Sequence, residues 1–334
     1  MSKDARERED GPRPSGPPQG LTGRGAAEAA FAAVAAVALF AVGSTLSFPF
    51  NPALLVCSVP FVLVGIRHGP GLGALMLGLA AGVLGVALPG APALEFLLLS
   101  GVPGLVLGVC MRRSIGPEWT IGLGAAALCG ALALGLAIRA GGFEGFGPAY
   151  RQAVAGLDAW LLEVQQLFEA LGSAGDLAGF PETIAALRHL AARALPGLVG
   201  ACAVLIAAAV SVLAMVLAAR TVGSATPAFT WTLPEGLIWA FIGAAGAALT
   251  PWGPWRVIGL NTLLLLLALY LLQGISIAGY WFRRLELPRY VRGLASLVVL
   301  LLPPLTVLVV AILIGVGLCD VWVSFRRLDA PRSP

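Results

Sequence analysis

Residues 257–282 form a run of 26 without a formal charge, bounded by Arg256 on one side and the Arg283–Arg284 pair on the other. At about 1.5 Å of rise per residue, a helix of that length outruns the roughly 30 Å hydrocarbon core of a bilayer. The chain holds several such runs, and inside lipid each must satisfy its backbone polar groups internally, as a helix does. The expected fold class is all-α: a polytopic membrane helical bundle of eight to nine transmembrane helices.

Composition agrees. Hydrophobic residues make up 58% and charged residues 11%, against about 25% charged in soluble domains. Mean hydropathy is +0.91. The 43 glycines suit close helix packing in lipid. The net charge of +4 is small, and the excess of Arg over the single Lys reads as coding bias before function. No Lys/Arg stripe suits nucleic acid.

The five cysteines, Cys57, Cys110, Cys129, Cys202 and Cys319, are scattered through apolar runs with no zinc or redox spacing. They read as small buried hydrophobes. His68 and His189 are far apart, with no metal-ligand partner in sequence. No metal and no cofactor is expected.

Residues 1–25 are polar and rich in Pro, Gly and charge. They read as a disordered cytoplasmic tail, without signal-peptide pattern. Candidate spans follow at about 27–47, 51–66, 70–88, 93–111 and 119–139, within an N-terminal membrane segment 26–140. After a gap come 195–219, 236–251, 257–282 and 293–318, within a C-terminal segment 195–327, followed by a short tail 328–334. Prolines such as Pro52, Pro92, Pro117, Pro234 and Pro288 mark the joints.

Basic residues in short loops set orientation. With the N-terminus inside, Arg67, Arg112–Arg113, Arg220, Arg283, Arg284, Arg289 and Arg292 all fall inside, and the loops at 48–50, 89–92 and 252–255 carry no Lys or Arg. The expected location is a bacterial cytoplasmic membrane. Nine full spans would put Arg326–Arg327 outside; an eight-span count keeps them inside, and the Arg pattern favours that reading.

The gap at 141–194 reads as an extracytoplasmic amphipathic helical hairpin. Val154, Leu157, Leu161, Val164, Phe168 and Leu171 recur at alternating spacings of three and four. Gly172–Gly175 breaks the stripe, and Pro181 fits the first turn of a second helix. The apolar stripe reads as a lid on the membrane domain rather than a partner-binding coil. Gly78 and Gly82, Gly104 and Gly108, and Gly243 and Gly246 read as close-packing faces, within the chain more than between copies.

No GxSxG, HExxH or P-loop pattern occurs, and no intramembrane pair of carboxylates is in sight. An enzyme is not expected. The polar residues left in or beside the spans are Glu28, Glu95, Asn261, Gln273 and Asp320. Asn261 and Gln273 lie about 18 Å apart along one helix. Polar groups in lipid face the bundle interior or a cavity. Two readings stay open for them: a ligand pocket among helices, or hydrogen bonds between helices. Trp231 and Trp239 could face the same cavity or belong to an interfacial aromatic belt. Arg283, Arg284, Arg289 and Arg292 could contact a partner protein or anionic lipid, or serve as a topology signal alone.

Ordered short motifs carry a resemblance. They are Pro60-Phe61 with Arg67-His68-Gly69, then Phe229-Thr230-Trp231-Thr232-Leu233-Pro234. Gly259-Leu260-Asn261 follows, leading through Tyr270 to Gln273-Gly274. Last is Gly317-Leu318-Cys319-Asp320 with Trp322 and Phe325-Arg326. Across about 27–327 the chain resembles the YybS-like family of bacterial integral membrane proteins. That family is similar in fold to the substrate-binding S components of energy-coupling-factor transporters, and more loosely to the cell-shape protein MreD. The resemblance implies a small-molecule binding or transport subunit without its own ATPase, whose partners are the lipid bilayer, a small hydrophobic or polar metabolite and an ATPase-bearing membrane protein. The alternative it implies is a structural or assembly scaffold of the cell envelope. The extra spans and the 141–194 insertion depart from the S components, and fold analogy alone does not carry function.

Overall fold

The computed structural model describes residues 23–45, 52–88, 92–170, 180–222, 231–251, 253–285, 288, 303–323 and 325. Among them, the regular elements are all helical. In chain order they are α1 (Gly23–Thr45), α2 (Pro52–His68), α3 (Pro70–Ala87), α4 (Pro92–Phe96), a π-helical turn (Leu97–Gly101), α5 (Val102–Arg112) and α6 (Pro117–Arg139). A 3₁₀ turn (Phe143–Gly145) leads to α7 (Phe146–Ala170), α8 (Phe180–Val222), α9 (Leu237–Leu249), α10 (Gly253–Arg284) and α11 (Pro303–Val323).

Six stretches among the described residues are long and apolar enough to cross a membrane: Pro70–Ala87, Pro92–Arg112, Pro117–Arg139, Arg193–Arg220, Gly253–Arg284 and Thr306–Val323. Three further apolar helices, Ala27–Ala41, Val56–His68 and Leu237–Leu249, are shorter. The nine stretches correspond to the nine runs read from the sequence, but length and hydropathy qualify six. Prolines open α3 and α6, where a missing N–H costs nothing. Within the 92–112 span the π-helical turn immediately precedes the turn that contains Pro103, whose missing N–H disturbs the regular ladder.

Two helices act as hubs: α2 packs against α1, α3, α5 and α8, and α10 packs against α8, α9 and α11. Glycine sets the closest approaches. A Cβ on Gly104 would stand 2.8 Å from the Ser58 carbonyl oxygen, and one on Gly108 3.1 Å from that of Val62, so α5 lies directly on α2. Gly274 and Gly317 do the same between α10 and α11, where a Cβ on either would strike the opposing backbone. A Cβ on Gly78, Gly82, Gly243 or Gly246 would meet nothing within 4 Å among the described residues. Among the described residues, Gly104–Gly108 is the one of the three expected glycine pairs that packs helix on helix.

Ion pairs show which helix ends share a side. Glu28 near the start of α1 meets Arg67 at 3.3 Å and His68 at 3.5 Å, at the end of α2. The Arg112 guanidinium lies over Gly69 at the same end. At the other end Glu95 of α4 pairs with Arg139 of α6. The Arg residues expected to share a face, Arg67 and Arg112, therefore do so.

From the Arg139 end the chain turns into α7, which packs on α6 and α8 with Val154, Leu157 and Leu161 half-buried. The expected break at Gly172–Gly175 lies outside the described residues. The boundary expected at 194–195 falls inside α8, a single helix of 43 residues. It begins at Phe180, with Pro181 in its first turn as expected, and takes Pro196 within its length. The 1–22 part of the N-terminal tail and the 328–334 tail also lie outside the described residues, as does the 293–302 part of the last expected span.

Candidate functional site: a non-helical segment inside the bundle

α9 has 13 residues, about 20 Å of helix, too short to cross a bilayer. The chain reaches it through Trp231–Pro234, which is not helical. The local sequence explains this: Pro234 cannot extend the helix backward through a hydrogen bond of its own, and it drives Leu233 into an extended conformation. Extended backbone at membrane depth must find partners within the protein.

α10 supplies them. The Trp231 N–H donates to Ser276 Oγ at 3.0 Å, and the Leu233 N–H donates to Gln273 Oε1 at 3.0 Å. Ser276 and Gln273 are three apart, so they share a helix face. Trp231 and Leu233 are two apart, so in an extended chain their N–H groups point the same way. The two periodicities match across the contact. Gln273 Nε2 then donates to Asp320 Oδ2 of α11 at 2.9 Å, and Asp320 Oδ1 accepts from the Phe325 N–H at 2.8 Å. One amide joins the non-helical segment, α10 and α11.

The Trp231 side chain is 2% exposed. It packs among Ile121 and Ala125 of α6, Ala203 and Ala207 of α8, and Leu272 of α10. Alanines on α8 leave the room that an indole needs. Trp231 is therefore no belt residue; it joins the N-terminal and C-terminal halves of the bundle. Tyr270, also fully buried, stacks edge-on against Phe241 at 5.7 Å, and its hydroxyl has no hydrogen-bond partner among the described residues.

Asn261 is elsewhere and does something else. Its Nδ2 donates to the carbonyls of Arg193 at 2.9 Å and Val257 at 2.7 Å, and its Oδ1 accepts from the Gly197 N–H. Arg193 C=O and Gly197 N–H are the i−4 and i groups that an α-helix joins to each other. The Asn261 amide thus spans one rung of the α8 ladder, beside Pro196, which has no N–H to give. A Cβ on Gly197 would stand 2.5 Å from Asn261 Cα, so only glycine admits the contact. Both amide donors of Asn261 are used within the protein.

The remaining candidates are separate. Trp239 is 73% exposed on α9. Arg283 and Arg284 are exposed at the end of α10, with the Arg284 guanidinium 5.1 Å from the Trp281 ring centre. Arg289 and Arg292 lie outside the described residues. The structure thus brings together Gln273 and Trp231, and adds Ser276 and Asp320. Ser276 was missed in the sequence, although a hydroxyl three residues after Gln273 in an apolar helix was the available signal. Among the described residues no group of three His, Cys, Asp or Glu is placed to hold a metal ion. A surface cleft of about 510 Å³ lies apart from this site, between the end of α6 and α7, and is lined by Leu136, Arg139, Pro148 and Gln152.

The chain matches no curated protein and no solved structure. Residues 34–321 match the family described as "Predicted membrane protein (DUF2232)", and that match spans most of an all-helical chain with several membrane-length apolar helices, so the chain belongs to this family of membrane proteins.

Proposed function

We propose that this protein is a membrane-embedded subunit that binds or moves a small molecule, at the place where Trp231–Pro234 enters the bundle. The observation that carries this reading is the short α9 and the non-helical backbone before it, held inside the bundle by Gln273, Ser276 and, through Gln273, Asp320. Interrupted helices are the elements from which transporters build midplane sites, because freed backbone groups and half-helix ends can face a ligand. The likeness to S components that the sequence resemblance implies points the same way, with energy supplied by an ATPase on a partner, since no P-loop pattern occurs in the sequence.

Native mass spectrometry of the purified full chain tests it. A small molecule should co-purify with the wild type and be lost from Gln273→Leu and Ser276→Ala. Retention by both variants would place the ligand elsewhere, and absence of any bound small molecule from the wild type would count against the reading.

A second reading, an assembly scaffold of the cell envelope, is favoured by α3. Its Gly78 and Gly82 face open space, and Leu75, Leu79 and Val83 beside them are more than half exposed. Crosslinking from position 79 in native membranes separates the two: a discrete protein adduct favours the scaffold, and lipid adducts alone favour the binding subunit.

A further inference from the structure

Asp320 stands near the end of α11 in sequence, yet the packing sets it beside the middle of α10. A Cβ on Gly274 would strike the Leu313 backbone, and one on Gly317 the Tyr270 backbone, so α11 runs antiparallel to α10. Gln273, which donates to Asp320 at 2.9 Å, lies about 25 Å from Arg256 and about 15 Å from Arg283 along α10. The carboxylate therefore belongs to the interior of the uncharged run 257–282 and not to its ends. A carboxylate at that depth is costly, and such groups mark ion or substrate pathways.

Its hydrogen bonds favour the charged form. A backbone N–H can only donate. The Leu233 N–H therefore turns the Gln273 oxygen toward itself and leaves the nitrogen for Asp320 Oδ2, while the Phe325 N–H needs an acceptor at Oδ1. Both oxygens accept, as those of an ionised carboxylate do, and each keeps a lone pair free. Asp320 is half-buried and has no ion pair among the described residues. The titratable groups around it bring no positive charge. Tyr270 on α10 packs with Leu318 and Val321, Cys319 is exposed beside Asp320, and Glu235 is exposed just before α9. The buried Tyr270 hydroxyl is a second oxygen of the α10–α11 contact without a hydrogen-bond partner among the described residues.

Charges inside a protein are paired or hold metal ions. We infer that Asp320 holds a monovalent metal cation of the sodium class, taken from solution. One carboxylate carries one negative charge, and no group of three His, Cys, Asp or Glu among the described residues is placed for a divalent or transition metal. Unwound backbone and half-helix ends at mid-depth are the elements on which transporters hold sodium. Because one Gln273 amide joins Asp320 to the Leu233 N–H, a charge arriving at Asp320 is felt by the segment before α9. The cation site stands whether or not a small molecule binds at that segment, and its test uses the cation alone.

The purified full chain in maltoside micelles supplies the test. Its melting temperature is measured in sodium, potassium and choline chloride at equal ionic strength and pH. Sodium or potassium should raise it above choline by about 2–5 °C at a hundredfold excess over the dissociation constant, and the stronger of the two names the ion. Asp320→Asn, neutral and of the same shape, should lose the difference. Glu235→Gln, which removes an exposed carboxylate, should keep it. Equilibrium dialysis of the wild type with radioactive sodium or rubidium reads binding without any variant. Equal melting temperatures in all three salts with no ion retained on dialysis would overturn the inference, and so would survival of the difference in Asp320→Asn. Arg326 and Arg327 lie outside the described residues. An arginine acting as the counter-charge would leave the wild type indifferent to the choice of salt. A sodium response would then emerge only when Arg326→Gln and Arg327→Gln are combined, and that outcome overturns the inference too.

Discussion

Gln273 donates to the Asp320 carboxylate at 2.9 Å while its own oxygen accepts the Leu233 N–H, so a single side chain closes α10 onto α11 and onto a stretch of non-helical backbone. Each end of that amide is matched to a partner within the protein. The arrangement makes this position sensitive to both shape and charge.

Gln273→Leu keeps the volume and removes both bonds. It should cost about 1–3 kcal/mol for each polar group stranded. Gln273→Glu keeps an acceptor for Leu233 but sets a second carboxylate against Asp320, and should destabilise at neutral pH. Denaturant unfolding in mixed micelles measures both. Wild-type stability in the Leu variant would contradict the bonding described.

Asn261→Leu should separate the α8–α10 joint, again by about 1–3 kcal/mol per group left unpaired. Gly197→Val should be worse, because its Cβ meets the backbone of Asn261 rather than a movable side chain. Expression level and melting temperature rank the two. A tolerated Gly197→Val would mean that the helices do not approach this closely.

Trp231 and Trp239 make an internal contrast, 2% and 73% exposed. Trp231→Ala should cost about 3–5 kcal/mol through the cavity it opens. Trp239→Ala should change stability by no more than about 0.5 kcal/mol. Similar effects at both positions would place Trp231 at the surface after all.

Glu95 and Arg139 are paired but partly exposed, 37% and 61% at the side chain. A double-mutant cycle through Glu95→Gln and Arg139→Gln should return a coupling of about 0.2–1 kcal/mol, falling as salt is added. A coupling that salt does not change would indicate a pair shielded from solvent.

The loop arginines predict sidedness. In a cysteine-free background, Gln165→Cys on α7 should react with an impermeant thiol reagent in intact spheroplasts, and Arg113→Cys only after permeabilisation. The reverse pattern would invert the whole chain in the membrane.

Much of the architecture was legible without coordinates. The uncharged run at 257–282 announces α10, and Pro52 and Pro117 mark helix starts, because apolar length and proline position act through backbone hydrogen bonding and local sterics. The alternation of Arg67 and Arg112 with bare loops is likewise local, and both residues do lie at one end of the bundle. The need of Asn261 and Gln273 for partners inside the protein could also be read from their amides alone.

Which partners they found could not. Gln273 met Leu233, 40 residues away, and Asp320, 47 away; Asn261 met Gly197, 64 away. Such pairings depend on how helices cross, and the crossings depend on where glycine lets backbones touch, as at Gly274 and Gly317. Trp231 shows the same division. An indole near a span end suits the interface by its own chemistry, yet here it is buried, because alanines on α8 left a space for it and Ser276 and Gln273 held its backbone there. The sequence by itself determined which segments must be helices in lipid and which polar groups needed company. The tertiary structure alone decided the company, since each contact joins segments whose relative position no local preference encodes.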